Sequence, residues 1–223
     1  MSGDRHSIAQ HRHLITDPDE KARREAENGI RQFYLATDII REHIHDRERP
    51  FALAPRPILQ LHHAALEGID TFAGTYRNTP VTIAKSRHRP PEHFLVPELV
   101  AQLCDYVAEN WDAASAIHLA AYVQWRLNWI HPFADGNGRT SRAVMYVVLN
   151  IRLDGLLAGT PTIPDQIADD KRPYYDALEA ADTAWAQGTV DLTVMEQLLE
   201  GMLARQLLNA VEQASEGGTR SSG

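Results

Sequence analysis

The stretch "AASAIHLAAYVQWRLNWIHPFADGNGRTSR", residues 113–142, joins an apolar segment directly to a run of polar and charged residues. Residues 113–130 carry apolar side chains on nearly every side, which is typical of a helix in the centre of a bundle, with Asp112 as its expected N-cap. Pro132 disfavours the α conformation at the residue before it, so this helix should end near Ile130. The sequence therefore predicts an all-α fold built around one buried helix.

Several further segments have the spacing of amphipathic helices. Asp17 and Pro18 form a typical helix start, and the helix that they begin should bury its apolar positions and end near the sequence "HDRERP". Those apolar positions are Ile30, Phe33, Tyr34, Thr37, Ile40 and Ile44. The remaining helices are predicted at residues 56–69, 96–111, 141–153, 171–185 and 191–213.

Residues 74–97 have a different pattern. The sequences "GTYRNTPVTI" and "HFLVPE" are short, rich in β-branched and aromatic residues, and interrupted by Pro and Gly. This pattern predicts a small β-hairpin beside the helices. Because no repeat or linker divides the rest of the chain, residues 17–212 are predicted to form a single domain, with polar, flexible ends at 1–16 and 213–223.

The composition limits the classes of function. The 223 residues include 22 Lys and Arg against 30 Asp and Glu, a formal net charge of −8, which disfavours nucleic acid and anionic membranes as partners. The start of the chain lacks the apolar core of a signal peptide, and no apolar run reaches the ~20 residues that span a bilayer. The single cysteine, Cys104, is expected to be a buried free thiol in a reducing compartment. We therefore expect a cytoplasmic protein.

The segment after the buried helix carries groups suited to phosphate chemistry. His131 is expected just beyond the helix end, at the surface, where its imidazole can act as a general base near neutral pH. Gly136 and Gly138 can adopt positive φ on either side of Asn137. Successive backbone amides in such a turn, together with the start of the next helix, form a site for an anion.

Two arginines lie where a helix disfavours cations. Arg139 and Arg142 are in the first turn of the helix, three positions apart and on one face, and a bound oligophosphate would relieve the conflict with the helix dipole. Asp135 would repel that phosphate unless a divalent cation lay between them, and Mg²⁺ is usually held by one carboxylate and phosphates. The segment is not a P-loop, because Phe133 replaces its first Gly and Arg139 its Lys.

Residues 131–142 resemble the signature H-P-F-x-[DE]-G-N-G-R-x-x-R of the Fic (filamentation induced by cAMP) family at every fixed position, and "AGTYR", "RPP" and "YYDAL" are also similar to Fic domains. The resemblance implies a Fic-type helical bundle with a β-hairpin flap, and transfer of AMP from Mg-ATP to a Ser, Thr or Tyr hydroxyl of a target protein. It implies His131 as the base and Asp135 as the Mg²⁺ ligand. The implied phosphate-binding residues are Gly136, Asn137, Gly138, Arg139 and Arg142.

The resemblance also implies the outer parts of the site. Tyr174 and Tyr175 match a family position near the adenine, although packing of their helix into the core explains at least one of them equally well. The flap resembles the edge on which a segment of the target protein adds as a strand. Its candidate residues are Val81, Ile83, Arg87 and His88.

Many Fic proteins restrain themselves through the motif [ST]-x-x-x-E-[GN]. Glu27 and Asn28 match its final pair, but Arg23 occupies the Ser/Thr position. The sequence therefore leaves open whether Glu27 is inhibitory or is a solvated surface residue, and whether a separate antitoxin protein restrains the enzyme instead.

Other functions stay open. The Doc branch of the superfamily transfers a phosphoryl group, but its motif has Lys at the position of Gly138, so Gly138 favours nucleotidyl transfer. Removal of AMP would use the same residues, and the chain is also compatible with the toxin of a toxin–antitoxin pair. A helical module without catalysis is disfavoured by the intact His131 and Asp135. The sequence does not determine the target, the nucleotide base, or whether the chain forms a homo-oligomer.

Overall fold

A computed structural model describes residues 5–8, 14–46 and 51–220, with the backbone alone at residues 216–220. The helices are α1 (Pro18–His45), α2 (Pro55–Leu66), α3 (Val96–Glu109), α4 (Ala116–Ile130), α5 (Asn137–Arg152), α6 (Ile163–Asp169), α7 (Lys171–Ala186) and α8 (Thr193–Arg220). Two short strands, β1 (Ser7–Ile8) and β2 (Thr82–Ile83), form an antiparallel pair. The predicted all-α class with a small β element is confirmed.

Helix α4 is the centre of the bundle, as predicted. It packs against α3, α5, α7 and α8, and the successive residues Leu119, Ala120 and Ala121, which point to different sides of the helix, are fully buried. The expected N-cap, Asp112, is wrong, because the helix begins later: the Ser115 hydroxyl accepts the amide of His118 at 3.0 Å. The apolar sequence therefore correctly predicts the position of the helix that precedes residues 131–142.

Helix α1 turns a different face to the core from the one predicted. Its N-cap, Asp17, is confirmed, but Ile30, Phe33 and Tyr34 are exposed. The buried face instead includes two polar residues whose side-chain amides donate to backbone carbonyls. Asn28 donates to the carbonyl of Glu67, just beyond α2, at 2.8 Å, and Gln32 donates to the carbonyl of Leu61 in α2 at 2.9 Å.

Of the other predicted apolar positions of α1, Thr37 and Ile40 are buried and Ile44 is partly buried. The apolar spacing therefore indicates a helix but selects the wrong face over its middle turns. Residues 47–50, where the predicted helix end falls in part, lie outside the described residues.

The β element is not a local hairpin. β2 pairs with β1 from the start of the chain, with Ser7 opposite Ile83 and Ile8 opposite Thr82. The second strand predicted at "HFLVPE" is wrong, since His93–Leu95 form a 3-10 helix that leads into α3. A Pro in the first turn of a helix is favoured, and Pro97 occupies that place in α3.

Parts of the predicted chain ends are packed against the domain. Residues 5–8 lie on the flap, and α8 continues to Arg220, beyond the predicted core end at residue 212. Residues 1–4, 9–13 and 221–223 lie outside the described residues. Cys104 is a buried free thiol as predicted. Among the helices of the described ranges, none combines the length and apolar character needed to cross a bilayer.

Candidate active site

The loop between α4 and α5 begins with a left-handed residue. His131 follows the last residue of α4 with φ 51° and ψ 60°, a conformation that residues other than Gly and Asn seldom adopt. Pro132 has no N–H to continue the helix and excludes the α conformation before it. The predicted helix end at Ile130 is confirmed, and the sharp turn directs the His131 side chain back against the end of α4.

Arg77 holds this turn. Its Nε donates to the carbonyl of His131 at 2.8 Å, and its Nη2 donates to the carbonyl of Ile130 at 3.4 Å. The same guanidinium donates to the carbonyls of Thr79 and Pro91, at the two ends of the flap, at 3.2 and 2.5 Å. A buried cation at a helix C-terminus is favourable because it satisfies the last carbonyls and complements the dipole. Arg77 therefore fixes the loop and the flap relative to each other.

A second set of contacts fixes the middle of the loop. The ring of Phe133 stacks on His62 of α2, with ring centroids 3.7 Å apart. His62 Nε2 donates to the carbonyl of Asp135 at 3.0 Å, and its Nδ1 accepts the amide of Gly74 at 2.9 Å. Burial lowers the pKa of His62 to about 4, so this ring is neutral when it makes both bonds. The carboxamide of Asn137 bonds to both the N–H and the carbonyl of Phe133.

The two glycines of the motif have different roles. Gly136 is left-handed, with φ 75°, and a Cβ there would lie 2.4 Å from Cδ2 of Leu66, so this position requires Gly. The expectation of positive φ at Gly138 is wrong, because α5 begins at Asn137 and Gly138 is already helical. A Cβ at Gly138 would lie 3.3 Å from Nη1 of Arg142, so Gly138 leaves room for this guanidinium over the first turn.

The imidazole of His131 lies at the base of a cavity of about 470 Å³. It is 6% exposed, so the expected surface position is wrong. Its Nδ1 lies 3.4 Å from the carbonyl of Asn128, which can only accept, and its Nε2 lies 2.8 Å from the Ser7 hydroxyl. Burial lowers the pKa of His131 to about 3, so the ring is neutral at physiological pH and Nε2 can accept a proton.

The two motif arginines on α5 have different surroundings. Arg139 lies between two carboxylates, Glu25 at 3.3 Å and Asp135 at 3.6 Å. No carboxylate of the described residues lies within salt-bridge distance of Arg142, and burial lowers the pKa of its guanidinium. The predicted conflict between these cations and the N-terminus of α5 is thus relieved within the chain for Arg139 and persists for Arg142.

Both tyrosines proposed for the adenine side line the cavity. Tyr174 is also a core residue, whose hydroxyl accepts from Gln124 at 2.7 Å, and burial raises its pKa to about 12. Tyr175 is more open, and the guanidinium of Arg5 lies 4.4 Å from the centre of its ring. Tyr174 is therefore held by the core, whereas Tyr175 is the more exposed of the two, with one face of its ring covered by Arg5.

The four flap candidates are divided between the core, the cavity and the surface. Val81 is buried, Arg87 is exposed, and Ile83 lines the cavity as part of β2. His88 Nε2 donates to the carbonyl of Trp129 at 2.7 Å, which ties the end of the flap to α4. The structure therefore leaves Ile83 as the candidate that directly contacts a pairing strand.

Sequence reasoning missed four residues of this site: Ser7, Glu25, His62 and Arg77. Arg77 lies in "AGTYR", which signalled only a family resemblance, and His62 lies in a histidine pair with no metal-binding spacing. Glu25 is two residues from the candidate Glu27, and nothing in the polar start of the chain singles out Ser7. Contacts that are distant in sequence bring all four to the loop.

We expect Arg77→Lys to lower the free energy of unfolding by about 2–3 kcal/mol, because an ammonium group cannot reach the four carbonyls that the guanidinium satisfies. Urea denaturation measures this change. Arg87→Lys, the same substitution at an exposed flap residue, should change the free energy by less than about 0.5 kcal/mol. Equal effects of the two substitutions would contradict the role assigned to Arg77.

The pKa of His62 predicts a loss of stability in acid. Below pH 6.5 the unfolded chain gains a proton at His62 that the folded chain does not bind until about pH 4. Stability should therefore decrease as the pH falls from 6.5 to 4, by up to about 3 kcal/mol from this residue. Urea denaturation at several pH values should show a shallower decrease for His62→Gln, and parallel curves would refute the assignment.

Solved structures share the fold. The chain aligns with residues 134–508 of Fic-1 from C. elegans at a TM-score of 0.63 and 21% identity, over 94% of this chain and 55% of that one. A Fic domain containing signaling protein from Bacteroides thetaiotaomicron gives 0.65 and 22%, over 85% and 72%. The BepC protein of Bartonella tribocorum with bound AMPPNP gives 0.54 and 17%, over 84% and 88%.

Curated relatives match part of the sequence. Protein adenylyltransferase fic-1 of Caenorhabditis briggsae is 31% identical over 126 residues, which are 56% of this chain and 23% of that protein. Protein adenylyltransferase Fic of Nematostella vectensis is 31% identical over 126 residues, 56% and 27% of the two chains. The chain thus spans about a quarter of the length of these relatives. Residues 52–149 match the model of the Fic/DOC family.

Proposed function

We propose that this chain is a protein adenylyltransferase, which transfers AMP from Mg-ATP to a Ser, Thr or Tyr hydroxyl of a protein. The observation that carries this proposal is the guanidinium of Arg142, a partly buried cation that lines the cavity beside the N-terminus of α5 and has no carboxylate within salt-bridge distance among the described residues. Partial burial raises the cost of a charge without a partner, and an anionic ligand would compensate it. The names of the relatives and the motif support adenylyl transfer as the reaction.

The start of α5 supplies the groups for a polyphosphate. The first amides of a helix have no partner within the helix and bind anions, and Gly138 keeps the backbone accessible. Arg142 and Arg139 line the same cavity and add charged donors that match phosphate oxygens. The solved BepC structure with AMPPNP, an ATP analogue, supports ATP as the ligand of this fold.

Asp135 is suited to a nucleotide-bound magnesium ion. Its carboxylate lines the cavity with a side chain that is 27% exposed, next to Arg139. A magnesium ion that accompanies a nucleotide is usually held by one or two carboxylates together with phosphates and waters. When bound there, Mg²⁺ would neutralise phosphate charge during the transfer.

His131 supplies the proton acceptor. A hydroxyl placed at Nε2 gives up its proton to the neutral ring as its oxygen attacks the α-phosphorus, and pyrophosphate leaves. The carbonyl of Asn128 holds the opposite nitrogen in the donor state, so the acceptor is always the nitrogen that faces the cavity. The protein therefore contributes position, one base and charge neutralisation.

The reaction is tested by incubating the chain with Mg²⁺, a cell lysate and ATP labelled at either the α- or the γ-phosphate. We expect protein labelling from the α position only, and its loss in His131→Ala by at least about 100-fold, since a general base contributes that much. His63→Ala, at an exposed histidine of α2, is the matched control and should keep full labelling. Labelling from the γ position would indicate phosphoryl transfer instead, and no labelling from either would reject the proposal.

Restraint by a glutamate is assigned here to Glu25. Glu27, which the family resemblance implies, pairs with Arg24 at 3.6 Å and does not line the cavity. Glu25 lines the cavity and lies 3.3 Å from Nη1 of Arg139, so its carboxylate competes with phosphate for this guanidinium.

Glu25→Gln is therefore expected to raise the rate of α-label transfer at limiting ATP by up to about fivefold, the effect of losing an exposed ion pair worth up to about 1 kcal/mol. Glu27→Gln removes the same charge from the same helix and should leave the rate unchanged. If only Glu27→Gln raised the rate, the inhibitory residue would be Glu27, as the family resemblance implies, and not Glu25.

A further inference from the structure

The start of the chain occupies the place where a target hydroxyl is needed. Ser7 Oγ lies 2.8 Å from Nε2 of His131, the nitrogen that faces the cavity. Ser7 and Ile8 form β1, which pairs with the flap strand at Ile83 and Thr82. A segment of the same chain thus adds as a strand to the flap edge and presents a hydroxyl to the proposed base.

The hydrogen bonds fix the direction of the Ser7 hydroxyl. Nδ2 of Asn137 donates to Ser7 Oγ at 3.3 Å, and Asn128 leaves Nε2 of His131 as an acceptor. The hydroxyl hydrogen of Ser7 therefore points at Nε2 of His131. A hydroxyl that donates to a neutral, oriented imidazole has the arrangement of an activated nucleophile. Of the hydroxyls on described residues that line the cavity, Ser7 alone bonds to His131.

The residues beside Ser7 hold it in this position. The amide of Ala84 donates to the carbonyl of His6 at 2.9 Å, which extends the pairing beyond β2. Arg5 pairs with Glu179 of α7, and its guanidinium covers the ring of Tyr175 at 4.4 Å. Contacts on both the flap and α7 therefore select Ser7, and no neighbouring residue, as the group at the base.

We propose that Ser7 is a self-modification site, which accepts AMP from ATP bound in the same chain. Oγ of Ser7 forms a bond to the α-phosphorus, the bond from that phosphorus to the oxygen bridging to the β-phosphate breaks, the proton passes to Nε2 of His131, and pyrophosphate leaves. This inference rests on the proposed adenylyl transfer. Because acceptor and base are held in one molecule, the step is favoured over transfer to a dissolved protein.

A consequence concerns external targets. β1 takes the backbone groups of one edge of β2, so a strand of another protein cannot pair with that edge while β1 is in place. Self-modification and modification of another protein therefore compete for one edge.

The test uses the purified full chain with Mg²⁺ and α-labelled ATP, with and without a lysate, followed by mass spectrometry of the tryptic peptides. We expect one AMP group on Ser7, formed at a rate constant that does not depend on the concentration of the chain. Ser7→Ala should lose this label, Ser7→Thr should retain it at a lower rate, and Ser215→Ala, at an exposed serine of α8, should keep it fully. The same assay is repeated with the Glu25→Gln variant, which lacks the proposed restraining carboxylate.

The outcomes separate the two proposals. If lysate proteins are labelled while Ser7 is not, or if Ser7→Ala labels itself as well as the unaltered chain does, self-modification is refuted and adenylyl transfer stands. If Ser7→Ala labels lysate proteins but not itself, both proposals are supported. If neither the chain nor the lysate is labelled, in either the unaltered chain or Glu25→Gln, both are refuted.

Discussion

The left-handed turn at His131 is the constraint on which the rest of the site depends. A residue with a side chain pays an energetic penalty there, and Pro132 prevents any return to the helix. The four carbonyl contacts of Arg77 stabilise the turn and join it to both ends of the flap. Arg77 therefore fixes the turn relative to the flap, and His62 and Asn137 hold the rest of the loop that leads into α5.

The site separates its charges along α5. Arg139 is compensated by Glu25 and Asp135, whereas Arg142 has no carboxylate within salt-bridge distance among the residues that the structure describes. The charge of Arg139 is therefore compensated within the fold, whereas the charge of Arg142 would be compensated by a bound anion. The neutral imidazole of His131 lines the same cavity. In the proposed reaction, proton acceptance and phosphate binding are therefore carried by different residues with different environments.

Much of this architecture could be predicted from local sequence. The apolar residues of α4 and Pro132 indicate a buried helix that ends at the loop of residues 131–136, and Gly136 marks a turn where a side chain would collide with Leu66. The face of α1 could not be predicted, because Asn28 and Gln32 are buried only by virtue of carbonyls on and just beyond α2.

Contacts between residues that are far apart in the sequence could not be predicted either. The partner of β2 is Ser7–Ile8, some seventy-five residues away, and a local pattern favours a hairpin because it contains no information on a distant strand. Arg77 and His62 act on backbone carbonyls of the loop, and no spacing in the sequence reports such contacts. The candidate base His131 is recognisable from its motif, whereas the residues that orient it are found only from the fold.

The most direct measurement is a crystal structure of the His131→Ala chain with Mg²⁺ and AMPPNP, because this variant keeps the anion site and stops the transfer. We expect the terminal phosphates to bind to the first amides of α5 and to Arg142, with the α-phosphorus facing Ser7 Oγ. Phosphates bound elsewhere, or an Arg142 guanidinium that contacts no phosphate oxygen, would contradict this expectation.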